Sequence, residues 1–238
     1  RLDTKDIGEI LSMIDPAVRQ RYDYDNIQKL YTEYVADKVD DHTQIEQLKR
    51  LIEGKEVFVM VPGNSLNTYR QEIDDYISKN HPIVISVNFV AEHPEIISFF
   101  GNAKRYSRLK EKRNGRKVII SSNVKSDTDQ DIVVNYHSLI NRGYKYFENS
   151  TIMLLNLLKR VNPRKVTIAG FDGFSENVDK NYVDASYQNE RHITEFKELN
   201  DELAKMFGEI VETMSPGCRF DMITPSKFKA VINGNRNS

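Results

Sequence analysis

Apolar and polar positions change their rhythm near residue 55. Before it, apolar residues recur at three- and four-residue spacing, the period of an amphipathic helix. Ile7, Ile10, Leu11 and Ile14 share one face of a first predicted helix, which Thr4 can cap and Pro16 stops. Ile27, Leu30, Tyr31, Tyr34 and Val35 predict a second over Asp25–Ala36. Ile45, Leu48, Leu51 and Ile52 predict a third over Asp41–Glu53, ended by Gly54. Residues 1–54 thus read as a helical N-terminal arm or cap without a cluster that suggests chemistry.

From Lys55 onward, β-branched and aromatic runs alternate with helical patterns. Val57–Val61 is the first predicted strand, followed by a helix over Leu66–Ser78. Further strands are expected at Pro82–Asn88, Ala103–Tyr106, Lys117–Ser122, Asp131–Asn135, Lys165–Gly170 and Phe220–Ile223. Apolar helices are expected over Ser150–Arg160 and Glu190–Phe207. Strands apolar on both faces and separated by helices predict an α/β fold, a Rossmann-like, mostly parallel sheet with helices on both sides. That domain spans residues 55–232, and the polar tail 233–238 is expected to fray.

In such sheets ligands lie beyond the carboxyl ends of the strands. The residues there are Gly63, Asn64 and Ser65 after the first strand, Asn88 after the second, Ser122 and Asn123 after the fourth, and Gly170, Asp172 and Gly173 after Ile168. They describe a polar cleft with few titrating groups. Pro62-Gly63-Asn64-Ser65 lacks two of the three glycines of a dinucleotide-binding turn, and no Gly-Lys-Ser/Thr follows it as in a Walker loop. It can still open a helix whose first N–H groups attract an anion, the alternative being a plain turn capped by Asn64 or Ser65.

Five segments in this order carry a resemblance: Val61–Ser65, Ile85–Phe89, Ile120–Asn123, Asn149–Met153 and Ala169–Phe174. Together they resemble the bacterial lipooligosaccharide sialyltransferase family over roughly residues 57–223. That resemblance implies a Rossmann-like fold and a CMP-sugar donor. It implies that Gly63, Asn64 and Ser65 face the donor's phosphate and sugar, that Asn88 and Asn123 contact the nucleotide, and that Asp172 touches ribose or base. Ser150 and Thr151 would open the central helix beside the donor. The family's general base and phosphate-binding hydroxyls would fall to His192, Tyr182 and Tyr187, which lie in the matching region without the family's motif around them. A second resemblance covers Leu2–Ile14, Tyr22–Tyr34 and Val39-Asp40-Asp41. It is to the segment that follows the catalytic barrel in bacterial aldolase-type proteins of the 4-hydroxy-2-oxovalerate aldolase and HMG-CoA-lyase group. It implies an upstream metal-dependent TIM barrel as partner, in keeping with an opening at Arg1 rather than Met.

Composition narrows the classes. Lys plus Arg is 34 and Asp plus Glu is 35, so overall charge makes no case for nucleic acid. No apolar run predicts a membrane span, and the single cysteine, Cys218, fits a reducing cytoplasm. The expected ligand is a nucleotide or nucleotide-sugar, with no intrinsic cofactor or metal, and self-association is left open. His42, His81, His93 and His137 show no metal-ligand spacing. Asp127, Asp129 and Asp131 lack the glycine and distal Glu of a calcium loop and read as a solvated turn. The basic stretch from Lys104 to Lys117 reads as a solvated helix and turn, the alternatives being a phosphate, an acidic sugar or a neighbouring domain. The long segment Phe171–Gln188, with Tyr182 and Tyr187, is the expected lid.

Overall fold

In a computed structural model, residues 39–91, 95–177, 180–184, 187 and 193–234 are described. The first two predicted helices lie outside these residues. The chain runs α1 (His42–Ile52), β1 (Glu56–Met60), α2 (Ser65–Thr68), α3 (Arg70–Asn80), β2 (Ile83–Val87), β3 (Ile97–Phe100) and α4 (Ala103–Leu109). It continues through β4 (Ile119–Ser121), β5 (Ile132–Val134), α5 (Ser150–Val161), β6 (Lys165–Ala169), α6 (Ile193–Thr213), β7 (Arg219–Met222) and α7 (Lys229–Gly234).

The seven strands form one sheet in the order β5-β4-β3-β2-β1-β6-β7, and every pairing is parallel. The chain lays strands outward from β1 to β5, then crosses back to place β6 on the other side of β1. The order of strands therefore reverses between β1 and β6, where the loops leaving two neighbouring strands part to opposite faces.

Alternation explains the continuous apolar runs. Val57 and Val59 belong to the core under α1, α5 and α6, while Phe58 between them belongs to the core under α3 and α4. Ile119 and Ile120 divide in the same way. Helix α5 is buried nearly all round: Ile152, Met153, Leu154, Leu155, Leu157, Leu158 and Val161 are fully inside. Each such side chain contributes about 1.5–3 kcal/mol of burial. Helix-propensity differences are only about 0.7 kcal/mol per residue, so tertiary packing holds this helix.

Helix α1 belongs to the same core through Ile45, Leu48 and Ile52. Asp41, just ahead of it, accepts from both guanidinium nitrogens of Arg160 on α5, at 2.6 and 2.7 Å, and from the Asn135 backbone N–H at 2.8 Å. Those bonds fasten the start of α1 to α5 and to the end of β5.

Several local expectations are corrected. Ala103–Tyr106 is not a strand but the start of α4, and the third strand is Ile97–Phe100. Asn102 settles this, because its side chain accepts from the Arg105 N–H at 2.9 Å and caps the helix. The helix over Leu66–Ser78 is two helices, broken at Tyr69, whose ψ of 28° departs from helical geometry. The third corrected segment is the aspartate turn. Asp131 has a fully buried side chain and accepts from Arg113 Nη1 at 2.7 and 2.9 Å. Arg113 also donates to Asp127 at 2.8 Å, so part of the basic stretch turns inward rather than to solvent. Helix α7, not expected from the sequence, covers residues 229–234, so the tail 233–238 begins inside it.

Candidate functional site

A cleft of about 370 Å³ opens where the strand order reverses, at the carboxyl ends of β1, β2 and β6. Val61, Pro62 and Gly63 form one wall and Gly170, Asp172 and Gly173 the next. Loop approach here is very close. Gly63 N–H donates to the Gly170 carbonyl at 3.0 Å, and Val61 N–H to Ala169 O at 2.9 Å. A Cβ on Gly63 would overlap the Gly170 carbonyl and the Asp172 carboxylate. Gly170 has φ +78°, and a Cβ there would overlap the Val61 carbonyl. Glycine is required at Gly170 both by conformation and by space.

The expected anion site at Ser65 is already occupied by the protein. Asp172 accepts from Ser65 N–H at 2.8 Å through one oxygen and from the Ser65 hydroxyl through the other. Helix α2 has only one turn, and its first N–H is thereby satisfied. Asn64 lies not in this cleft but on an open surface beside it, together with Ser65, and Asp172 borders both.

Burial raises the Asp172 pKa above its usual 3.8, with the Ser65 hydrogen bonds opposing that rise. The folded protein then holds this proton more tightly than the unfolded chain. The carboxylate's contribution to stability is therefore lost as pH rises above about 3.8 toward the folded-state pKa. Asp172→Asn removes the charge, while its amide oxygen can still accept from Ser65 N–H and its NH2 can donate to the Ser65 hydroxyl. Its stability should match wild type below pH 3.8, gain on it as pH rises through the folded-state pKa, and hold a constant lead above that. Urea midpoints of both proteins across that range measure the gap, and a gap independent of pH would contradict the penalty.

Asn88 and Asn123 both serve the loop after β3. Asn88 has φ +58° and lines the cleft, while its Oδ1 accepts from Gly101 N–H at 3.2 Å. Asn123 Nδ2 donates to the Gly101 carbonyl at 3.5 Å, and its Oδ1 accepts from Ser121 Oγ at 2.5 Å. Asn123 does not line the cleft. Ser150 and Thr151 do, at the buried first turn of α5. Asn149 caps that turn, accepting from the N–H groups of Thr151 and Ile152 at 3.0 and 3.2 Å.

The segment expected as a lid is tied down over much of its described length. Phe174 exchanges two 2.8 Å hydrogen bonds with the Asn200 side chain, and its ring stacks on Phe196 with centroids 5.6 Å apart. Asn181, buried, accepts from Ser175 N–H at 2.8 Å. Val183 N–H donates to the Pro62 carbonyl at 3.0 Å, which joins the segment to the β1 loop. Tyr182 lines the cleft; Tyr187 does not, but lies against Arg105. His192 lies outside the described residues.

The cations of the cleft come from the basic stretch, for which a phosphate or acidic sugar was the alternative to a solvated face, and from Lys145, which the sequence reading did not single out. Lys104, Arg105 and Arg108 on α4 line the cleft, and so does Lys145, which pairs with Glu198 at 2.8 Å. Against these four stand two acidic lining residues, Glu148 and Asp172. Asn102 at a helix-cap position was the signal available: it makes Gly101-Asn102 a strand end and puts the following basic residues at the sheet's carboxyl edge. Cys218 does not line the cleft, and burial pushes its thiol pKa up to about 11. Among the described residues, no group of His, Cys, Asp or Glu could hold a metal ion, and no helix is long and apolar enough to cross a membrane.

No protein-family model matches this chain, and no curated protein matches it either.

Proposed function

We propose that the chain binds a nucleotide or nucleotide-sugar in the cleft at the carboxyl edge of its sheet. The observation that carries this reading is the coincidence of that cleft with four cations, Lys104, Arg105, Arg108 and Lys145, at the point where strand order reverses. Its volume of about 370 Å³ suits a mononucleotide-sized guest. The cleft is also lined by Asn88, Asn102, Ser150 and Thr151, polar residues that suit a ligand rich in hydroxyls and oxyanions. Calorimetric titration with CMP, CDP, UDP and their sugar conjugates tests the reading. Saturable binding of at least one is expected, and a folded protein that binds none of them rejects it.

A second reading, transfer of the sugar, draws on the sialyltransferase resemblance and on Tyr182, which lines the same cleft. Product analysis after incubation with a CMP-sugar separates transfer or hydrolysis from binding alone; an intact donor speaks against transfer. The partner proposed from the other resemblance is an aldolase-type barrel, and co-purification of such a barrel with this chain tests that point.

A further inference from the structure

Arg105 stands in the first turn of α4, positioned by the Asn102 cap, and lines the cleft. Two aromatic rings hold its guanidinium: Tyr187, with its ring centre 4.6 Å away, and Tyr182, at 5.5 Å. Its Nη2 donates to the Tyr187 carbonyl oxygen. Its Nη1 is buried, yet it has no hydrogen-bond partner among the described residues.

A buried cationic donor without an acceptor is costly, more so than a neutral one. Its side chain is kept from swinging out to water by the two rings and by the Nη2 bond. Burial lowers its pKa, but a guanidinium remains charged at neutral pH. Lys104 and Arg108 line the same cleft and add to the positive field. Arg105 therefore holds a buried donor without an acceptor beside a cationic recess of ligand size. A planar guanidinium with one edge already bound to the protein presents its remaining N–H groups to an oxyanion.

We infer that Arg105 is the phosphoryl-recognising residue of the cleft, with Nη1 donating to a phosphoryl oxygen of the bound ligand. This rests on reading the cleft as a nucleotide-type site, and the test separates the two ideas. Pyrophosphate, CMP, CDP and cytidine are titrated into wild type, Arg105→Gln and Arg105→Lys, with melting curves to confirm folding. Arg105→Gln should weaken pyrophosphate and CDP by about ten- to hundred-fold, the effect of losing one charge-assisted hydrogen bond. Cytidine, which has no phosphate, should bind both proteins alike. Arg105→Lys keeps the charge without the fork and should recover part of the loss; it carries the comparison if the glutamine variant does not fold. Unchanged phosphate affinity in the variants overturns the inference while leaving nucleotide binding intact. An equal loss for cytidine and CMP also overturns it, because that pattern marks a structural role. Pyrophosphate binding that depends on Arg105, with no nucleotide bound, keeps the inference and rejects the nucleotide reading. If wild type binds neither pyrophosphate nor any nucleotide, both fall.

Discussion

Gly170→Ala is expected to destabilise the protein by about 2–5 kcal/mol and to abolish the proposed nucleotide binding in the cleft. Two effects add. At φ +78° a Cβ meets the steric penalty of the left-handed region, about 1–2 kcal/mol. The new methyl also overlaps the Val61 carbonyl oxygen and stands 2.9 Å from Leu66 Cγ, so the β1 and β6 loops must separate. Overpacking of this kind costs about 1–3 kcal/mol when the neighbour is a side chain, and here one neighbour is backbone. That separation breaks the Gly63–Gly170 hydrogen bond and reshapes the wall of the cleft. Gly143→Ala is the control, because Gly143 has open space around its Cβ position; it should stay within about 0.5 kcal/mol of wild type. Urea unfolding followed by circular dichroism measures both. Equal midpoints for the two variants would refute the argument.

Arg113→Ala should cost about 3–5 kcal/mol, the usual penalty for stranding a buried charge. Arg113 is itself buried, and the Asp131 side chain it leaves behind has no solvent exposure. Val118 N–H at 3.2 Å and Ser126 Oγ at 2.8 Å would still donate to Asp131, but neither brings a positive charge. Combining Arg113→Met with Asp131→Asn should be milder than Arg113→Ala alone. The amide oxygen can still accept from Val118, and no uncompensated charge remains. Urea midpoints compare the three proteins; a loss below about 1 kcal/mol in Arg113→Ala would show that the pair adds little.

The strands most legible in the sequence are those buried on both faces. Val57, Phe58 and Val59, or Val166, Thr167 and Ile168, make runs that only a covered parallel strand needs, and the parallel sheet followed from them. Strand β3 was harder. Ile97–Phe100 is four residues long, too short for its apolar run to be told from a turn of helix, and Ala103–Tyr106 next to it looked as suitable. That exchange of strand and helix hid the cations of the site, since it put Lys104 and Arg105 inside a strand instead of beyond one.

Ser65 illustrates a different limit. The turn at Pro62–Ser65 was rightly placed at a strand end, but its N–H partner is Asp172, 107 residues further on. Local pattern cannot reveal that a carboxylate of the chain itself fills a turn suited to an anion. Asp131 and Arg113 failed for a related reason. Charged residues in a polar stretch read as solvated, and only the tertiary pairing of Tyr106, Arg113 and Asp131 takes them inside. Asn88, Ser150 and Asp172 do line one cleft, whereas Asn123 supports the Gly101 loop from outside it.

The crossover from β5 back to β6 also sets an order of events during synthesis. A nascent chain that has emerged through Val134 can pair β1 to β5, since each new strand adds beside the preceding one. The free side of β1 then waits as an edge of unpaired N–H and C=O groups until Lys165–Ala169 arrives. Gly170 and Asp172, which close the cleft, follow that strand directly. The recess is thus among the last features to exist, and a ribosome-bound chain stopped short of β6 offers a sticky edge to a chaperone and no pocket to a ligand.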